Sequence, residues 1–232
     1  MKNIGIIVAV AEELEAVGNL MENTKSINIS GLDFEEGTIE GKKCILTRCG
    51  IGKVNAARTT QILIDKFEID YVINVGVAGA LNYNLNIGDV IIADELVQHD
   101  FDITAFGHSK GYIPGIGNKM YCDNGLIEKF EKAVKNLDEK TYKIQVGTVA
   151  SGDIFCTDIS MKDKIYAKFN AQCVEMEGAS IAQVCTLSNM PFLVIRSISD
   201  SPNGNNQIAY EQYVKMASKR GANILKEFFK FE

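Results

Sequence analysis

The 232-residue chain carries a formal net charge of −6, with 46% hydrophobic and 23% charged residues. Its length suits a single domain over residues 1–232 with a substantial core, and its composition excludes a disordered or low-complexity chain. Lys and Arg are scattered, without a basic stripe or basic-aromatic interleaving, so the expected partner is a small molecule, not a nucleic acid or an anionic membrane.

Residues 4–10 form a continuous apolar run of strand length. Such a run can imitate part of a signal sequence, but Glu12 and Glu13 follow closely and no cleavage-like site is present, so it reads as a buried first strand. Leu14, Val17, Leu20 and Met21 then recur at helical spacing. Residues 27–48 hold short β-like pieces broken by Gly31, Gly37 and Gly41, which predicts a meander. Gly50 and Gly52 introduce a helix through Phe67, and residues 71–75 form another buried strand that ends in the glycine turn of residues 76–80. A strand over 89–97 follows. Residues 99–120, rich in Gly and aromatics without a period, read as a long functional loop.

The remaining pattern predicts helices over 124–137, 161–169, 177–187 and 209–229, with strands over 142–149 and 192–198 and a loop over 150–158. Alternation of buried strands and helices predicts an α/β fold in three layers, with a central twisted sheet flanked by helices. The early meander makes that sheet mixed. No apolar stretch approaches the roughly 20 residues needed to span a bilayer, and a cytoplasmic location is expected. Cys44, Cys49, Cys122, Cys156, Cys173 and Cys185 form no CxxC pair and read as reduced core thiols.

Ligands of α/β sheets gather at the carboxyl ends of strands, where Glu12 and Glu13, residues 76–80, residues 151–156, and Ser199 with Asp200 all fall. Acidic residues beside apolar runs are costly unless paired, solvated or used, which points to a carboxylate site. Each has a bland alternative: Glu12 or Glu13 equally complements a helix N-terminus. Gly50-Ile51-Gly52-Lys53 lacks the first glycine and the Ser/Thr of a P-loop, and Gly76-Val77-Ala78-Gly79 lacks the dinucleotide spacing, so both read as tight turns. The run 99–102, with only His108 as a further imidazole, does not make a metal site. No metal and no cofactor is expected.

The chain resembles the bacterial 5′-methylthioadenosine/S-adenosylhomocysteine nucleosidases, within the nucleoside phosphorylase superfamily. The resemblance rests on Ile4-Gly5-Ile6-Ile7 with Glu12-Glu13, on residues 50–57 and 74–79, on Thr104-Ala105-Phe106-Gly107, and on Ser151-Gly152-Asp153 with Phe155. It continues through Val174-Glu175-Met176-Glu177 and Arg196-Ser197-Ile198-Ser199-Asp200. It implies a phosphorylase/hydrolase-like fold and hydrolysis of the N-glycosidic bond of adenosyl thioethers. Glu13 is then the base that activates water, and Asp200 the acid that protonates adenine N7, with apolar neighbours such as Ile198 favouring the neutral acid.

The resemblance further implies that Glu177 binds the ribose hydroxyls, Met176 and Tyr210 contact the ribose, and Phe155 lies on the purine face. The Cys156 backbone reads the adenine edge, Gly79 allows close backbone approach, and Arg196 and Ser199 complete the substrate-binding set, with Arg196 orienting carboxylates. Ile103, Phe106 and Pro114 match positions that reach a neighbouring subunit's site, which implies a homodimer. Val77 and Ala80 depart from the family, which commonly has a hydroxyl residue and a glycine there. A phosphate-dependent phosphorylase is the near alternative, disfavoured by Asn74 where such relatives place an Arg. A futalosine-type hydrolase is the other enzymatic one, and a silent nucleoside-binding protein is countered by Glu13, Glu177 and Asp200 occurring together.

Overall fold

The first strand, β1 (Asn3–Val8), buries Ile4, Ile6, Ile7 and Val8 completely, as a strand covered on both faces must. In the computed structural model, which describes residues 3–135, 137, 142–202 and 206–231, helix α1 (Ala11–Gly18) follows. The strands β2 (Glu22–Ile29), β3 (Leu32–Ile39) and β4 (Lys42–Arg48) form the expected antiparallel meander. β4 pairs parallel with β1, and β1 pairs parallel with β5 (Tyr71–Ala80). Between them runs α2 (Lys53–Lys66).

β5 changes neighbours along its length. Residues 71–74 pair with β1, whereas Gly79 and Ala80 pair antiparallel with β9 (Cys173–Glu175). Its other edge carries β10 (Phe192–Asp200) in parallel. β6 (Val90–Gln98) pairs antiparallel with β10 and parallel with β8 (Ile144–Ser151), and β8 pairs with β9. The sheet therefore closes on itself through β5, β10, β6, β8 and β9, and closure leaves those strands no open edge. The short β7 (Met120–Tyr121) adds to β6.

Helices α3 (Asn124–Val134), α4 (Ile159–Phe169), α5 (Gly178–Leu187) and α6 (Asn206–Phe231) complete the fold. α1 and α3 pack on α6, and α2 packs on α5, so helical groups flank the mixed sheet. The expected α/β architecture is present.

Two elements differ from the sequence reading. The segment 76–80 is the continuation of β5, not a turn, and neither Gly76 nor Gly79 has a positive φ. Glycine serves there for proximity, because neighbouring carboxylates press on the strand. β9 has only three residues, too few to show a period. α3 stops at Val134; position 136, within the expected helix, lies outside the described residues. Among the described residues the six cysteines are buried and form no disulfide, and no helix is long and apolar enough to cross a membrane.

Phe228 anchors the side of the core under α6. It stacks on Phe130 with ring centroids 5.3 Å apart and meets Tyr71 edge-on at 6.5 Å. Phe228→Ala is expected to cost about 3–5 kcal/mol through the cavity it leaves. At roughly 2–4 °C per kcal/mol for a chain of this size, thermal unfolding should show a fall in Tm of about 10 °C.

Candidate active site

A cavity of about 420 Å³ opens where the ends of β1, β5, β8, β9 and β10 meet, a volume suited to a small ligand. Glu13, Gly79, Phe155, Cys156, Met176, Glu177, Ser199, Asp200 and Tyr210 all line it. Residues far apart in the chain are thus brought onto one wall.

Glu13 sits in the first turn of α1 and reaches back over its start. Its Oε2 accepts from the amides of Ala9 at 2.7 Å and Val10 at 3.1 Å, and its Oε1 accepts from the amide of Val77 at 2.9 Å. Burial pushes its pKa up, opposed by these amides and by the charge of Arg196. A carboxylate held this way is fixed in place and receptive to a proton. A Cβ at Gly76 would stand 2.7 Å from Oε1, so only glycine lets β5 pass. Val77 serves Glu13 through its amide, and that contact needs no side-chain hydroxyl.

A buried ion pair joins the cavity lining, through Glu175, to Arg196 behind it. Glu175 accepts from Arg196 Nη2 at 2.7 Å, from the Ser151 hydroxyl, and from the amides of Glu177 at 3.0 Å and Gly178 at 2.8 Å. Burial alone would raise its pKa, but the Arg196 charge and these donors outweigh it and hold the carboxyl below its ordinary value. Arg196 also donates to the Asn74 side chain and to the Ile195 carbonyl. Counted in the substrate-binding set and expected to orient carboxylates, Arg196 lies outside the cavity lining and orients Glu175. Its Nη1 and Nη2 are engaged by buried partners, while Nε is buried without a partner among the described residues.

Glu177 is the residue before α5, where Glu175 organises the backbone. Its Oε1 accepts from the amide of Gly52 at 2.8 Å, in a turn where Gly52 has φ +97°. The Gly50–Lys53 turn therefore spends an amide on a carboxylate of this chain and not on a phosphate. Burial, with the neighbouring Glu175 charge, pushes the Glu177 pKa up to about 8.

Asp200 ends β10. Ser199 Oγ lies 3.0 Å from its Oδ1, and Lys162 Nζ donates to its Oδ2 at 3.1 Å. The expected apolar surroundings are corrected here: Ile198 is buried on the same strand, but a lysine and a serine touch the carboxyl. A Cβ at Gly79 would stand 2.8 Å from Oδ2. Lys162 is the site residue that sequence reasoning missed. Its signal was positional, since it shares the buried face of α4 with Ile165 three residues on.

At the mouth, Phe155 meets Tyr210 edge-on with ring centroids 5.7 Å apart. Ile103, Phe106 and Pro114 do not line the cavity of their own chain, and Phe106 is 82% exposed. Asp100 accepts from Lys53 at 2.7 Å and from the Asp153 amide at 2.9 Å. Among the described residues no group of three His, Cys, Asp or Glu side chains could hold a metal.

The family model of the phosphorylase superfamily matches residues 3–230. A 5′-methylthioadenosine/S-adenosylhomocysteine nucleosidase of Bacillus subtilis is 37% identical, over 98% of each chain. The solved structure of such a nucleosidase from Neisseria meningitidis, in complex with methylthio-immucillin-A, is similar with a TM-score of 0.94 at 35% identity, covering 99% of both chains. The native structure of a futalosine hydrolase of Helicobacter pylori is similar with a TM-score of 0.93 at 32% identity, covering 99% of this chain and 97% of that one.

The raised Glu177 pKa has a stability consequence with a defined sign. A folded-state value of about 8 against an ordinary 4.5 means that the contribution is present below pH 4.5 and is lost as pH rises through 8. Glu177→Gln should remove that slope and stabilise the ligand-free protein at pH 8 by roughly 4 kcal/mol. Thermal unfolding of both proteins from pH 5 to 8.5 checks it; parallel profiles would refute the coupling.

Proposed function

The chain belongs to the phosphorylase superfamily, and we propose that within it this protein hydrolyses the N-glycosidic bond of 5′-methylthioadenosine and S-adenosylhomocysteine, releasing adenine and the 5-thioribose product. The observation that carries the reading is the convergence of Glu13, Glu177 and Asp200 on one cavity, at strand and helix ends remote in sequence. The similarity to nucleosidases over nearly the whole chain supports it.

Asp200 is the acid. As the bond from the sugar to N9 breaks, its electron pair passes into adenine and the Asp200 proton moves to N7. Glu13 is the base, taking a proton from the water that attacks the sugar. Glu177 binds the ribose hydroxyls, and in its ionised form it favours the oxocarbenium-like sugar. Phe155 covers the purine face, the Cys156 backbone reads the adenine edge, and Met176, Ser199, Gly79 and Tyr210 shape the remaining wall.

Hydrolysis is favoured over phosphorolysis by the charges at the site. Glu13 would repel phosphate, Asn74 stands where an arginine is wanted, and the Arg196 guanidinium is engaged by Glu175 and Asn74. A futalosine-type substrate would use the same acid and base, and a futalosine hydrolase is among the similar structures. The nucleosidase reading stands ahead of it on the curated relatives. The role that follows is methionine salvage and removal of the by-product of methyl transfer, in the cytoplasm.

The assembly proposed is a homodimer of single-domain subunits. Ile103, Phe106 and Pro114 then complete the neighbour's site around the 5′ substituent. Large apolar side chains exposed on α2 and α5, Val54 and Leu187, support a covered face.

Purified protein is expected to release adenine from methylthioadenosine without phosphate; a strict phosphate requirement overturns hydrolysis. Glu13→Gln and Asp200→Asn should each lower kcat by about 10²–10⁴-fold. Parallel assays with aminofutalosine resolve substrate preference. Phe106→Ala should raise KM for methylthioadenosine with little change in kcat, and light scattering should give the mass of two chains.

A further inference from the structure

Lys162 is 1% exposed and projects from α4 to Asp200 Oδ2 at 3.1 Å, with the Ser201 carbonyl at 3.4 Å. Burying an ammonium is costly, and a methionine of similar length would fill the space without that cost. The charge is therefore what needs explaining. Its place is set by rigid structure: the Asp158 side chain caps α4 by accepting from the Met161 amide at 2.7 Å, and the Tyr83 hydroxyl donates to Asp163 at 2.7 Å. Among the described residues lining the cavity none is cationic, whereas Glu13, Glu175, Glu177 and Asp200 are acidic.

We propose that Lys162 is a positioning residue that holds Asp200 and compensates the charge left on it as adenine departs, an inference that rests on Asp200 being the acid. Before cleavage Asp200 carries the proton destined for N7. When the sugar–N9 bond breaks, the electron pair enters adenine, the proton moves to N7, and Asp200 is left as a carboxylate. Lys162 faces that new negative charge. Its attraction is thus stronger after proton transfer than before, which is the condition for accelerating a step and not merely binding the substrate. The attacking water gives its proton to Glu13, and solvent returns both carboxyls to their starting states. The other titratable groups around Asp200 are Cys156 on the loop after β8, Cys173 on β9, Tyr210 on α6, and Glu13 and Glu177; none of them supplies a cation.

The test compares methylthioadenosine with 4-nitrophenyl 5-methylthioriboside, whose leaving group departs as a stable anion and needs no proton. Lys162→Met should lower kcat for methylthioadenosine by about 10²-fold, with KM changed far less. For the nitrophenyl substrate the change should stay within about twofold. Lys162→Gln, which keeps a donor without the charge, should show the same split, and Lys162→Arg should restore much of the lost rate. Adding Lys162→Met to Asp200→Asn should produce no further loss. Wild-type kcat on methylthioadenosine in the Met and Gln variants, or equal losses on both substrates, would overturn the proposal. Full activity of Asp200→Asn alone would instead overturn the acid assignment beneath it, and so the two failures are distinguishable.

Discussion

Everything at the cavity depends on the buried pair of Arg196 and Glu175. Arg196 belongs to β10, Glu175 to β9, Ser151 to β8 and Asn74 to β5, and all four side chains bond within this one cluster. Asn74 also donates to the Ile7 carbonyl on β1 at 2.9 Å. The pair therefore ties four strands of the closed ring to one another and to the first strand outside it. Burying two charges is repaid only with good geometry and full hydrogen bonding, and removing one partner of such a pair costs about 3–5 kcal/mol. Here it also fixes the backbone at Glu177 and Gly178, so fold and site share a single constraint.

Four carboxyls crowd this region, and their surroundings give them different tasks. Glu175 is matched by a guanidinium and held ionised. Glu13 has three amides but no direct cation, so burial prevails and its proton affinity rises. Glu177 has one amide, and burial with the adjacent Glu175 charge raises it to about 8. Asp200 meets an ammonium and a hydroxyl. Four carboxyls of one chemical kind thus stand in four different surroundings.

Much of this was legible in the sequence, for physical reasons that also explain the failures. Apolar runs such as residues 4–8 and 192–195 announce buried strands, because covering both faces leaves little room for polar positions. Glu13 and Asp200 stand at the ends of such runs, and Glu177 stands before a helix, places where a carboxyl is costly without a purpose. Gly76 and Gly79 misled as turn residues because a glycine needed for close approach looks in sequence like one needed for positive φ. Arg196 misled in a related way: a charge within a buried strand signals a partner, but only the closed sheet shows that Glu175 absorbs it. Lys162 is a single charge in a helix already rich in lysines, and its inward direction emerges only when α4 is docked.

The arrangement of charge along the cavity matches the direction in which electrons move during the proposed cleavage. Breaking the glycosidic bond leaves positive charge on the sugar and sends electron density into the base. In their ionised forms Glu13 and Glu177 would favour the first change and disfavour an incoming phosphate, so in the proposed reaction the same groups select water as the nucleophile. At the opposite end the density is met by the Asp200 proton, and behind that stands the Lys162 ammonium. Exchanging the two ends would stabilise neither the sugar cation nor the departing base. A short polar gradient from Glu13 and Glu177 to Asp200 and Lys162, held in register by the closed sheet, thus fits both the proposed bond cleavage and the choice of water.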